Sequence, residues 1–585
     1  MLNKFLKIMT LAFVSVTLAL VLSACNNPEA HEHEWDNGIT VKSATCSETG
    51  VKTYTCKGCR ETYDEALPLI DHTYSTEWTY DDAEHWREAI CGHQSRGFKG
   101  EHQFSAQYFS DDYYHWKICV TCGSVGEKNL HEPDENGLCQ FCRHEVELTE
   151  GLQYTLSLDG EYYVLEGRGT ALLTKAVIKS HVDGKPVREI GASAFENATT
   201  LEGVVIPDTV VKIGNNAFKG CNKLAGVSVP SSVTFIGMGA FDGCEALKTN
   251  DTGNLKYLGN SSFDYVAIIG ATNEEITSCD IQSGVSVVAY GAFEGLSSLQ
   301  KIKINDLPSW CGVSVTDANS GPFGTGATVN YLNKELTSLA LPDSVKYIGR
   351  NAFALSGVTT VDLGKVEKVG EYAFMGSAVT SVIGNKTASV ERMAFAECES
   401  LTTVSLPEIT ELNLGAFEGC GKLESVTIGA VKEISARAFS NCGSLKSFVL
   451  SEATEKIGEY AFYANELTSI DLGSVKEIGN NAFASSAALL HVNLPSTLTT
   501  IGESAFRHSS SLKSLIIPAS VTTVSNGLTR GCSALTVFME AKSVPSGFAD
   551  GWNDGGCEVV FGGDWEVVNG IPEKINKIID VELQC

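Results

Sequence analysis

The 585-residue sequence predicts a repeat solenoid, mostly β with irregular or short helical convex turns and about 15–16 coils, preceded by small Cys/His-stapled modules. The first observation behind this is a recurring phrase. Ile-Gly-x-x-Ala-Phe stands at Ile213–Phe218, Ile236–Phe241, Ile348–Phe353, Ile478–Phe483 and Ile501–Phe506. Its Phe, counted with looser copies, falls at Phe195, Phe218, Phe241, Phe263, Phe293, Phe323, Phe353, Phe374, Phe395, Phe417, Phe439, Phe462, Phe483 and Phe506, and most steps are 21 to 23 residues. A fixed period of that length means stacked coils, each burying its apolar side against its neighbours. The second observation is segregation. Nine of the twelve histidines and eight of the nineteen cysteines lie between His31 and His144, with four of the seven tryptophans.

The chain begins with an export pattern. Lys4 and Lys7 precede an apolar stretch, Leu11 to Leu22, that is too short to span a bilayer comfortably. It ends Leu22-Ser23-Ala24-Cys25, which resembles a bacterial lipobox. The resemblance implies a signal peptide over 1–24, cleavage before Cys25, lipidation of Cys25 and a tether over 25–30. The expected location is therefore extracytoplasmic, at the cell surface and on the membrane through the lipid anchor. Ordinary secretion with Cys25 incidental is the alternative. Composition is that of a globular protein, with 43% apolar residues. A net charge of −28 repels polyanions and argues against nucleic acid as a partner.

Residues 31–146 read as tandem small modules. His33, Cys46, Cys56 and Cys59 form one candidate ligand set; His72, His85, Cys91 and His93 a second; His102, His115, Cys119 and Cys122 a third; His131, Cys139, Cys142 and His144 a fourth. The second ligand follows the first by thirteen residues in the first three sets. Aromatics recur beside the leading His, as in His33-Glu-Trp35, His72-Thr-Tyr74 and His102-Gln-Phe104. Tetrahedral zinc takes four Cys or His donors. Modules this small cannot bury enough core to fold unaided, so structural zinc is the expected cofactor. Two other readings stand beside it. Cys119-x2-Cys122-x16-Cys139-x2-Cys142 also suits a single zinc ribbon, and an exported segment with eight cysteines suits disulfides. Catalytic zinc is disfavoured, because four-ligand sites leave no open position.

The solenoid is expected over 191–562, with an N-terminal cap over 147–190 and a C-terminal cap or tail over 563–585. One coil runs from Leu201: Leu-x-x-Val-x-Ile-Pro is a strand with period-two apolar residues, and Pro207 ends it. The Gly of the phrase reads as a tight or left-handed turn, and the Phe as an interior stack of one ring per coil. Cys221, Cys244, Cys398, Cys420 and Cys442, three residues after the Phe, read as buried inert thiols. Three steps, Phe263 to Phe353, measure 30 residues and imply loops on one face. Pro572 to Asp580 reads as a short closing helix, and Cys557 and Cys585 as a candidate pair.

The phrase Leu-x-x-Val-x-Ile-Pro followed by Val-x-x-Ile-Gly-x-x-Ala-Phe-x-x-Cys closely resembles the BspA-like, or Treponema-type, leucine-rich repeats over roughly 150–560. The Cys/His segment resembles modules that precede repeat domains in surface proteins of gut-type bacteria. The resemblance implies a bacterial surface protein that binds a host or microbial surface protein or glycan. Outward strand positions supply the candidate binding residues: Lys301, Lys303, Thr360, Asp362, Thr403, Ser405, Ser425, Thr427, Ser469, Asp471, His491 and Asn493. The expected function is noncovalent adhesion or interaction by a monomer. The alternative is a lipoprotein whose front modules sequester or sense zinc, with the solenoid as scaffold. No catalytic constellation emerges, neither a phosphate-cradling Gly loop before a helix nor Gly-x-Ser-x-Gly, so no enzyme is expected.

Overall fold

The computed structural model describes residues 32–575 except 82, 92–93, 111–113, 127, 132–137, 140, 145–147, 170–172 and 261–262. The leader, Cys25, His31, His93 and Cys585 lie outside the described residues. The chain divides into two units. One comprises residues up to Ala106 together with Ile118–Gly126; the other comprises Gln107–Lys117 and the chain from 127 onward.

The first unit is built from small antiparallel sheets. Ile39–Lys42, Gly50–Thr55 and Thr62–Leu67 form one, and Thr79–Tyr80, Glu84–Glu88 and Arg96–Glu101 another. The recurring aromatics have a shared task. Trp35 bridges Cys56, Tyr74 bridges Ala89 and Phe104 bridges Cys119, all antiparallel. Each bridge draws the His two residues before the aromatic towards the cysteine-bearing turn. Two of these turns share one form. Cys56 N–H donates to Glu61 O and Cys119 N–H to Ser124 O, while Arg60 and Gly123 donate back to the first cysteine's carbonyl from a left-handed conformation (φ 65° and 73°).

In the second unit the expected solenoid is present. Each regular coil contributes two short strands to two parallel ladders. Ser338–Ala340, Thr360–Asp362, Ser381–Ile383, Thr403–Leu406 and Ser425–Ile428 pair in register, and Tyr347–Ile348, Lys368–Val369, Ser389–Val390 and Glu411–Leu412 form the companion ladder. The Ala-Phe phrase adds a third ladder. Phe353 N–H donates to Ala373 O at 2.8 Å, Phe374 to Ala394 O at 2.7 Å and Phe417 to Ala438 O at 2.9 Å.

The Phe rings stack continuously from Phe353 to Phe506, with centroids 5.0–5.6 Å apart and planes within 11° of parallel. A shorter stack joins Phe195, Phe218 and Phe241. One ring per coil fails between them, since Phe263 is 54% exposed. There the chain departs from the repeat into an antiparallel meander of Asn250–Thr252, Leu255–Leu258 and Ala267–Ala271. The long steps also hold the helix Leu307–Cys311 and the hairpin of Thr328–Tyr331 with Lys334–Glu335. Trp310 anchors the helix, buried, with its indole N–H on Ala352 O at 3.0 Å.

The repeated Gly is a tight-approach residue, not a left-handed one. A Cβ on Gly458 would lie 2.5 Å from Ala436 N, in the preceding coil, and Gly458 keeps an ordinary φ. The left-handed residue stands two places later, as at Asn216, Tyr460 and Asn481.

The slot three residues after the Phe has a physical role. Cys420 Sγ donates to Phe395 O at 3.1 Å, satisfying a buried carbonyl of the preceding coil. Asn465 does the same for Phe439 O at 2.9 Å, and Ser486 for Phe462 O at 3.2 Å. The slot therefore wants a small donor. Burial pushes the thiols of Cys442, Cys244, Cys279 and Cys311 up to about 12, which keeps them protonated and unreactive. Cys420→Ala orphans the Phe395 carbonyl and is expected to cost about 1–3 kcal/mol in urea unfolding, whereas Cys420→Ser, which keeps a donor, costs less.

The C-terminal end is closed by a hairpin of Trp565–Val568 and Ile571–Lys574 rather than a helix from Pro572. Asn569 and Gly570, both at positive φ, make the two-residue turn that such a hairpin requires. Trp565 caps the last coil, donating to Met539 O at 2.9 Å. Among the described residues no helix is long and apolar enough to cross a membrane.

Candidate functional site

The structure brings the ligand candidates together, but not in the sets that spacing suggests. His33 meets Cys56 and Cys59; Cys46 meets His72 and Cys91; His85 meets His102, Cys119 and Cys122; His115 meets His131, Cys139 and Cys142. Within each group the candidate donor atoms lie within 4.8 Å of one another. Cys46, His85 and His115 are thus each given to the next module rather than their own. The reason is local. His85 and His115 sit on strands, Glu84–Glu88 and Tyr114–Trp116, which carry them away from the cysteines that follow in sequence. His144 is not among the fourth group; it stacks on His131 with centroids 4.8 Å apart and planes 10° from parallel. His93 lies outside the described residues, so its expected place in the second set has no counterpart here.

The donor geometry fits zinc. A tetrahedral ion with Zn–N of about 2.0 Å and Zn–S of about 2.3 Å needs N···S edges of about 3.5 Å. His Nδ1 to Cys Sγ measures 3.3 Å for His33–Cys59, 3.1 Å for His72–Cys91, 3.5 Å for His102–Cys122 and 3.9 Å for His85–Cys119. In the fourth group it measures 3.6 Å for His115–Cys139 and 3.4 Å for His131–Cys142. His102 is oriented from behind, with Nε2 2.8 Å from Asp81 O, as metal-ligating imidazoles commonly are.

Electrostatics favours thiolates at two of these cysteines. Burial opposes ionisation of Cys139, but hydrogen bonds from His115, His131 and the amides of Cys142 and Phe141 bring it down to about 4. Burial also opposes ionisation of Cys119, and the amides of Cys122, Thr121 and Gln103 with His102 bring it to about 6. The Asp81 carbonyl, with Cys119 and Cys122, holds His102 up at about 9. Cys139, His115 and His131 are fully buried, whereas His33 and Cys91 are exposed. The third and fourth groups offer four donors each and leave no position for a reacting water.

The expected partner-binding residues are all at least partly exposed, on three separate sheets rather than one ribbon. Lys301 and Lys303 share a sheet with Ser278–Ile281 and Thr328–Tyr331. Thr360, Asp362, Thr403, Ser405, Ser425 and Thr427 lie in register on the five-stranded ladder, and Ser469, Asp471, His491 and Asn493 on a two-stranded one. The segment around Ser447 and Val449 forms no strand and interrupts the row there. Coil-to-coil ion pairs such as Lys365–Asp343 and Lys476–Glu455, the latter at 2.9 Å, decorate other positions; exposed as they are, they add little stability.

One feature of the outward face escaped the sequence reading. On the separate three-stranded sheet of the first coils, Lys175–Val177, Gly203–Val205 and Gly226–Ser228, the outward positions of the first two strands hold Val177 and Val205 instead of small polar groups. Both are buried, packed with Cys139 and against Tyr114, Phe141, Cys142 and Leu148. Apolar outward residues were the available signal that something covers them.

The family model described as BspA type leucine rich repeat region matches in six copies, across residues 188–308, 328–442 and 410–536. No curated protein matches the chain. Among solved structures, a leucine-rich repeat protein from Bacteroides ovatus ATCC 8483 is 24% identical, with 67% of this chain and 99% of that one covered and a TM-score of 0.36. A leucine rich cell surface protein from Faecalibacterium prausnitzii A2-165 is 22% identical, with 70% and 96% covered and a TM-score of 0.27. The leucine rich repeat protein of T. pallidum is 21% identical, with 47% and 91% covered and a TM-score of 0.19. Since the repeat model matches more than half of its residues, the chain belongs to the BspA-type leucine-rich repeat family.

Proposed function

We propose that this protein is a lipid-anchored bacterial surface protein, held to the membrane at Cys25, whose solenoid binds a host or microbial surface protein or glycan noncovalently as a monomer. The observation that carries this reading is the in-register row of Thr360, Asp362, Thr403, Ser405, Ser425 and Thr427, all at least partly exposed, on parallel strands. Such a row offers many small hydrogen-bonding groups at a regular spacing of about 4.8 Å and few large anchors, which suits an extended, multivalent contact. The Cys/His modules serve as a zinc-stapled stalk between lipid and solenoid. Exposure of His33 and Cys91 favours a second reading for the first two groups, in which their metal exchanges and the modules sequester or sense zinc.

The test is capture. Residues 26–585 are screened against matrix proteins, mucins and glycans, beside a variant carrying Thr403→Arg, Ser425→Arg and Thr427→Arg. The variant is expected to lose about tenfold or more in affinity for whatever the wild type retains. Unchanged affinity, or binding that survives deletion of 201–560, would refute the solenoid as the binder.

A further inference from the structure

The fourth metal group differs from the others in where its residues sit. His115, His131, Cys139 and Cys142 all belong to the same unit as the solenoid. Its cysteine turn follows the form of the earlier ones, with Cys139 N–H on His144 O at 2.8 Å and Arg143 N–H on Cys139 O at 2.9 Å. That turn rests on the outward side of the first coils. Cys139 is fully buried against Val177 and Val205, and Tyr114, beside ligand His115, packs in the same cluster with Lys175 Nζ 4.7 Å from its ring centre. The segment after the turn is fastened too. Thr149 N–H donates to Val177 O at 3.1 Å, and Val177 N–H donates to Thr149 Oγ1 at 2.8 Å. Strand Asn129–Leu130, just before His131, pairs with Tyr114–Trp116 and lies against Gly226–Ser228 of the third coil.

We propose that a zinc ion held by His115, His131, Cys139 and Cys142 is a clasp that fastens the last module over the outward face of the first solenoid strands. The inference rests on the zinc reading given above. Binding displaces the remaining thiol protons to solvent and forms four metal–ligand bonds. Among the described residues, Tyr114, Cys139, Phe141, Cys142 and Leu148 supply the apolar contacts against Val177 and Val205, and the metal adds the remaining fastening. With the site loaded, the binding surface starts only beyond the third coil. With it empty, Val177 and Val205 lose their cover, and an apolar patch opens beside the polar rows. Because His115 comes from the module before, loss of that one side chain opens the fourth site and leaves the third, His85, His102, Cys119 and Cys122, complete.

Peptide-resolved alkylation of the full zinc-loaded chain tests this. In the wild type, Cys119, Cys122, Cys139 and Cys142 are all expected to react slowly, and faster after chelation. His115→Ala is expected to raise the alkylation of Cys139 and Cys142 about tenfold or more, leaving Cys119 and Cys122 protected. Amide exchange should rise with it in Lys175–Val177 and Gly203–Val205. His144→Ala should change none of these. Buried Cys420 and Cys442, read in the same digest, report whether the solenoid remains folded. Exposure of Cys119 and Cys122 by His115→Ala, or of Cys139 and Cys142 by His144→Ala, would overturn the shared-ligand clasp and restore the within-module sets. Unchanged exchange in the first strands would overturn the clasp alone. If zinc slows none of the four thiols in the wild type, the zinc reading falls and the clasp with it.

Discussion

Phe417→Ala is expected to lower the free energy of unfolding by about 3–5 kcal/mol in urea titrations followed by circular dichroism. Phe417 is fully buried, and its ring lies between Phe395 at 5.4 Å and Phe439 at 5.5 Å. Truncation leaves a cavity whose walls are two more rings, each held by its own Ala-Phe backbone ladder, so little collapse can fill it. A solenoid coil contacts mainly its neighbours, and a weak coil in mid-array divides one cooperative block into two. A second, earlier transition is therefore expected beside the loss of stability. The same substitution at Phe263, which is 54% exposed and outside the stack, should change stability by less than about 1 kcal/mol.

Removing zinc should have the second large effect, confined to the Cys/His modules and the first solenoid strands that the last of them covers. Structural zinc contributes about 10–16 kcal/mol per site at neutral pH in small modules, more than such a module can lose and remain folded. Strong chelation is expected to abolish amide protection in strands such as Gly50–Thr55 and Glu84–Glu88, while the ladder from Thr360 to Ile428 keeps its protection. Metal analysis should find about four zinc per chain before chelation, one for each ligand group. Chains without zinc whose eight front cysteines are paired in disulfides would remove both the stalk and the sequestration readings.

Much of this architecture is legible in the sequence because a stacked repeat prints its packing rule on every copy. The Phe spacing marks the interior ring and the period-two strand marks its outward positions. The residue three after the Phe marks a buried small side chain, although its work as a donor to the preceding Phe carbonyl emerges only from the stacking of one coil on the next. Other features depend on contacts between copies. Gly458 looks like a turn glycine in one dimension; in three it is the place where one coil touches the next. Thirteen-residue spacing marks His85 and His115 as ligand candidates but does not say for which group, because a strand carries each past its own cysteines to the neighbouring cluster. The irregular region from Asn250 to Ala271 shows the same limit. Phe263 satisfies the count, yet an antiparallel meander takes over and turns its ring to the surface.

Amide hydrogen exchange of the full chain, with and without its captured partner, shows whether the outward strand rows are the binding surface. Added protection is predicted in Thr360–Asp362, Thr403–Leu406 and Ser425–Ile428, with little change in the companion ladder of Lys368–Val369 and Glu411–Leu412. Protection confined to residues 32–148, or falling on the companion ladder alone, would contradict that role.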